Sequence, residues 1–140
     1  KITDGSQPNT FAGNAVSAVA CMTNIDILTE NDSELIQRSA QVGEEIKDSL
    51  RQGAAEARII GDVRGRGFMI GIELLKDKES REPLDPDTIG KVVFGLLNRG
   101  IIMVPCGRYG NVLRFMPPLT ITREHCEKAT EILLEVVAEI

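Results

Sequence analysis

One arginine, Arg114, stands inside the otherwise apolar run Val112-Leu113-Arg114-Phe115-Met116, which Pro117-Pro118 then closes. A guanidinium held on a strand can grip a carboxylate through two parallel hydrogen bonds, which a lysine ammonium cannot do. An edge-strand arginine facing water would leave the same pattern, so spacing alone keeps both readings open. A second feature is Thr10-Phe11-Ala12-Gly13-Asn14, which runs directly into an apolar helical segment. A hydroxyl and backbone amides at a helix entry can hold a phosphate, or can simply cap the helix.

Other chemistries find no support. His125 is the only histidine, and it falls near the start of an expected helix with no second histidine or cysteine beside it to bind a metal. Cys21, Cys106 and Cys126 are three in number and widely spaced, which fits neither a disulfide framework nor a zinc site; they read as reduced, mostly buried thiols. No serine has a marked base and orienting partner. The glycines of Gly61-Asp62-Val63-Arg64-Gly65-Arg66-Gly67 match neither the P-loop nor the dinucleotide spacing, and they join two strands rather than a strand and a helix.

The elements that must position these residues follow from periodicity. Ala15 to Leu28 is a helix apolar or small almost all round, capped by Asn14. Such a helix needs more cover than one small domain supplies, so self-association or a partner is expected. A second helix runs from about Ser33 to Arg51, capped at Asn31 or Asp32 and closed by Gly53; its inner face carries Leu35, Ser39, Val42, Ile46 and Leu50. Strands are expected at Ala57 to Val63 and Gly67 to Leu75 around an Arg64 to Gly67 turn, followed by a polar surface loop from Lys76 to Leu84.

Asp85-Pro86 starts a helix whose stripe is Ile89, Val92, Val93, Leu96 and Leu97 and which Gly100 ends. Strands at Ile101 to Val104 and Val112 to Met116 flank a Gly107 to Asn111 turn. Thr122 caps a last helix with Cys126, Ala129, Leu133, Val136, Val137 and Ile140 inward. The order α-α-β-β-α-β-β-α predicts an α+β fold: a small antiparallel sheet of three to four strands with helices on one face.

Bulk numbers agree with a globular chain: 140 residues, 42% hydrophobic and 26% charged, enough for a real core. A net charge of -5 opposes nucleic-acid binding. No secretory signal pattern or membrane-length apolar run opens the chain, so the cytoplasm is expected. The first residues, Lys1 to Gly5, are polar and begin without Met, as in a sequence entered partway along a longer polypeptide.

Taken together, three segments resemble the C-terminal part of the class III aminotransferases, pyridoxal-phosphate enzymes of fold type I. Thr10-Phe11-Ala12-Gly13-Asn14 is similar to the family's TFxGN segment and Val63 to Glu73 to its VRGxGLMxGIE hairpin. Tyr109 to Leu119 is similar to its NVxRFxPPL strand, with Tyr109-Gly110-Asn111 nearest to the 4-aminobutyrate branch. The departures are Gln7, where the family has histidine, and Ala15, where it has proline.

The resemblance implies that residues 1–14 are a remnant of the large cofactor-binding domain, 15–30 a linking helix and 31–140 the C-terminal small domain. It implies that Thr10 contacts the cofactor phosphate of the neighbouring subunit in a homodimer, and that Arg114 binds the carboxylate of an amino acid or of a 2-oxo acid such as 2-oxoglutarate.

In the family the aldimine lysine, the aspartate at the pyridine nitrogen and the ring-stacking aromatic all precede TFxGN. Lys1 stands too close to Thr10 for that role, and Lys47, Lys76, Lys78, Lys91 and Lys128 fall on expected helices or a surface loop. A chain of this kind is expected to bind no pyridoxal phosphate and to be catalytically silent alone. A free-standing non-catalytic module that associates with an aminotransferase subunit is the other reading left open.

Overall fold

Asn14 opens the first helix as its side chain permits, with Oδ1 accepting the Ser17 N–H at 3.1 Å. The computed structural model describes residues 13–140, and Thr10 lies outside the described residues. Helix α1, Ala15–Glu56, is two helices joined at a kink: Glu30 is extended (ψ 152°), and Asn31, Asp32 and Ser33 are left-handed with φ of 48°, 55° and 61°. The expected pair of helices is present, but neither Asn31 nor Asp32 has the extended backbone of an ordinary N-cap. The chain forms two compact units, Lys1–Glu34 and Leu35–Ile140.

In the second unit the helical segment 35–56 runs past Gly53. That glycine is a packing position rather than a terminator, since a Cβ there would lie 2.5 Å from Leu134 Cδ2. The helix is closed from outside instead: Lys78 Nζ donates to the carbonyls of Ala54 and Ala57, both at 2.8 Å. A cation on the last carbonyls also complements the helix dipole.

Strands β1 (Ile60–Arg66) and β2 (Met69–Asp77) form a hairpin about Gly67 and Phe68. The turn falls later than expected because Gly67, at φ 53°, takes the first of two loop positions, where only glycine is unstrained. A two-residue strand β3 (Glu82–Pro83) adds to β2 inside the segment expected to be loop. Helix α2, Pro86–Asn98, has Asp85 as its N-cap, with the carboxylate accepting Thr88 N–H at 3.0 Å.

Its exit is wound tightly, with Arg99 and Ile101 N–H both on the Leu96 carbonyl and Gly100 N–H on that of Leu97. Residues 99–101 are thereby spent on the helix end, so strand β4 begins only at Val104 (Val104–Cys106) rather than at Ile101. Strand β5 is Val112–Phe115, and α3 is Arg123–Ala138 with Thr122 capping on the His125 N–H at 3.2 Å.

The main antiparallel sheet has the order β1-β2-β5-β4, with β3 paired to β2. One face carries Ile60, Val63, Ile70, Ile72, Leu74, Leu113 and Phe115, all buried. Against them lie Val42, Ile46 and Leu50 of α1, Ile89, Val92 and Leu96 of α2, and Cys126, Leu133, Val136 and Val137 of α3. The expected fold, a small antiparallel sheet with helices on one face, is the one observed. Ile140 and Leu97, expected inward, are about half exposed, and of the three cysteines only Cys126 is buried.

The β1 edge is covered rather than left as a pairing template. Lys47 Nζ donates to the Gly65 carbonyl at 2.9 Å, and an Arg51 guanidinium nitrogen to that of Val63 at 3.2 Å. Helix and hairpin meet at backbone distance, since a Cβ on Gly43 would lie 2.2 Å from the Gly67 carbonyl oxygen.

Candidate functional site

Arg114 sits on β5, an interior strand rather than an edge, although its side chain does face water. Its register is held from both ends. Before the strand, the glycines of the Gly107 to Asn111 loop take left-handed φ at 107 and 110, and the loop delivers buried Asn111 against β2. Asn111 Nδ2 donates to the Leu74 carbonyl at 2.9 Å, while its own carbonyl accepts Leu74 N–H at 2.7 Å.

After the strand, Pro117 and Pro118 can donate no backbone hydrogen bond, so pairing stops. The chain there is clamped by Arg38, whose guanidinium donates to the carbonyls of Leu119 (2.8 Å) and Ile121 while lying 6.0 Å from the Phe68 ring centroid. Nothing local in the sequence announces Arg38, because its partners are 81 and 83 residues away.

The register aligns Arg64, Gly71, Arg114 and Val104 in one row across the sheet, on the face away from the helices. Gly71 puts no side chain between the two arginines. In the next row of that face stand Asp62, Glu73, Val112 and Cys106. The charges are unequally used. Arg64 Nη1 donates to Asp62 Oδ2 and to Glu73 Oε2, both at 2.8 Å, and these two hydrogen bonds hold its pKa above the ordinary arginine value. Arg81 reaches the same Glu73 oxygen at 3.7 Å.

Arg114, by contrast, is exposed and makes no ion pair or hydrogen bond through its side chain with a described residue. It also borders an open cleft of about 530 Å³ that extends past Val104 and Met116 to His125 and Lys128 on α3. A guanidinium so placed has the donors to grip a carboxylate through two parallel hydrogen bonds.

The described residues do not fit a cofactor aldimine. Lys47, on the expected helix, is only 5% exposed, and its ammonium is held by Glu44 Oε1 at 2.7 Å and by the Gly65 carbonyl. Lys76 pairs with Glu82 and Lys78 closes a helix, while Lys91 and Lys128 are exposed. A Schiff-base lysine stands in a desolvated or cation-adjacent setting, whereas these lysines are paired or exposed. Among the described residues no group of three or more His, Cys, Asp or Glu side chains could hold a metal, and no helix is long and apolar enough to cross a membrane. His125 is exposed, with Nδ1 2.6 Å from Thr122 Oγ1.

Fold and site together define a sheet-and-helix domain with an exposed arginine, Arg114, on its open face and with its described lysines either paired or exposed. Its relationships are specific. The aminotransferase class-III family matches residues 1–137, and the chain belongs to that family. It is 35% identical over 139 residues to the 5-aminovalerate aminotransferase DavT of Pseudomonas aeruginosa, covering 99% of this chain and 32% of that protein. It is 42% identical to the 4-aminobutyrate aminotransferase of Mycobacterium leprae, covering 93% of this chain and 28% of that one. A solved Bacillus anthracis aminotransferase superposes with a TM-score of 0.82 at 33% identity, over all of this chain and 32% of the other. The chain therefore spans about a third of the length of the relatives it matches, and its fold is that of the small domain of fold type I aminotransferases.

Proposed function

We propose that this chain is the substrate-carboxylate-binding portion of a pyridoxal-phosphate-dependent aminotransferase. The enzyme would move an amino group from a 4-aminobutyrate-like or other ω-amino donor to a 2-oxo acid such as 2-oxoglutarate. Arg114 grips the carboxylate, and its unpaired guanidinium opposite Gly71 is the observation that carries the reading. When bound in the intact enzyme, the cofactor supplies the electron sink for transamination. Thr10, on the strength of its motif alone, contacts the cofactor phosphate of a second copy in a homodimer.

In the same reading residues 1–14 belong to the large domain, 15–30 link, and 31–140 form the small domain of a cytoplasmic enzyme. The names of the relatives support the ω-amino class, and they differ in donor, 5-aminovalerate for one and 4-aminobutyrate for the other.

Two measurements test the proposal. Titrating the purified chain with 2-oxoglutarate should perturb the Arg114 Nε–H resonance, with a Kd weaker than about 1 mM because one charge-assisted pair contributes only about 1.5–3 kcal/mol. Arg114→Gln should abolish the response. Incubation with pyridoxal phosphate and borohydride should leave no lysine adduct; a stoichiometric adduct with glutamate turnover would overturn the assignment of the catalytic lysine elsewhere.

A further inference from the structure

We propose that Arg64 is a positioning residue that sequesters Glu73 and so keeps the Arg114 guanidinium free for its ligand; the ligand part rests on the carboxylate reading of Arg114 given above. The case begins with the sheet register. Arg64 and Arg114 face each other across Gly71. Glu73 lies two residues further along β2 on the same face, opposite Asp62 on one side and Val112 on the other. It is thus the diagonal neighbour of both arginines, and diagonal pairs on a sheet face lie within reach of long side chains.

Glu73 could neutralise either arginine, and the structure records the choice. Its Oε2 accepts from Arg64 at 2.8 Å and is approached by Arg81 at 3.7 Å. Its side chain is only 21% exposed, so it is held within a cluster of charges rather than in bulk solvent. Asp62, the cross-strand partner of Glu73, accepts from the same Arg64 nitrogen at 2.8 Å, so one guanidinium holds both carboxylates. Arg66 also projects from this face but stands opposite Met69, four residues along β2 from Glu73.

The consequence is one of competition. Removal of Arg64 leaves two carboxylates, Asp62 and Glu73, with Arg81 and Arg114 as the nearby cations. Glu73 then turns to Arg114 and occupies the receptor, and an incoming carboxylate must displace it. A like-for-like cation at 64 prevents this, and so does removal of the Glu73 charge.

The test uses the full chain with labelled arginine side chains, reading the Arg114 Nε–H resonance and the affinity for glutarate as a dicarboxylate probe. Arg64→Met should shift the Arg114 resonance and weaken glutarate roughly two- to fivefold, the scale of an exposed ion pair. Adding Glu73→Gln to Arg64→Met should restore both readouts, which a general loosening of the sheet would not do. Arg64→Lys, and Glu73→Gln alone, should stay near the native values.

An Arg114 resonance unmoved by Arg64→Met, or a double variant that fails to restore it, would overturn the proposal. A native chain indifferent to glutarate but still showing the Arg64→Met shift and its reversal would overturn the carboxylate reading alone, with Glu73 sequestration upheld.

Discussion

At the scale of single residues, the site is made by side chains that leave one neighbour unpaired and tie another down. Asn111 is the clearest of the second kind. It is 2% exposed, and its amide closes a two-way exchange with Leu74 that sets the register of β5 three residues before Arg114. Asn111→Ala removes the donor while the Leu74 carbonyl still accepts Leu84 N–H at 3.1 Å, so the loss is one buried hydrogen bond and its packing. The expected cost is about 1–3 kcal/mol, read as a lower urea midpoint with unchanged slope. The position is legible in sequence as part of a turn, but its role is not, because the partner is 37 residues away.

At the scale of elements, helix ends are where sequence and structure agree most closely. Asp85, Thr122 and Asn14 cap as their types predict, each through a hydrogen bond to the third residue on. Asp85 carries a pH consequence. Its carboxyl is held below the ordinary value chiefly by the Thr88 backbone N–H. A lowered folded pKa means that the stabilisation is present above the unfolded value, near pH 3.9, and is lost as pH falls through the folded one.

The Thr88 amide should therefore lose protection from exchange in acid before the α2 core residues do. Asp85→Asn should keep the cap and remove that pH dependence, while Asp85→Ala should loosen the first turn at every pH. Where expected elements shifted, tertiary demands explain it: the α2 exit consumed the start of the expected third strand, and Lys78 in place of Gly53 closes α1.

At the scale of the whole molecule, the apolar helix 15–29 bears on association. Val16, Val19, Met22 and Ile25 are spaced at threes and are between 54% and 79% exposed. Apolar side chains in such a row bury themselves against a partner when one is available. The chain should sediment with concentration-dependent association, and Met22→Glu should shift it to monomer while circular dichroism keeps the helical signal. A monomer at all concentrations in the native chain would count against self-association.

The sequence by itself determined the caps at Asn14, Asp85 and Thr122, the presence of the hairpin, most of the inward stripes and the segments that resemble class III aminotransferases. These depend on contacts between residues close in the chain or on motif identity. It also singled out Arg114, though as one of two alternatives. Tertiary structure decided that β5 is interior, in the order β1-β2-β5-β4, and that Arg64 rather than Arg114 takes Glu73. It also decided that Lys47 is buried yet spent on Glu44 and a strand carbonyl. Those outcomes depend on cross-strand register and on packing between distant segments, and residue spacing along one strand carries no information about which neighbour across the sheet takes a charge.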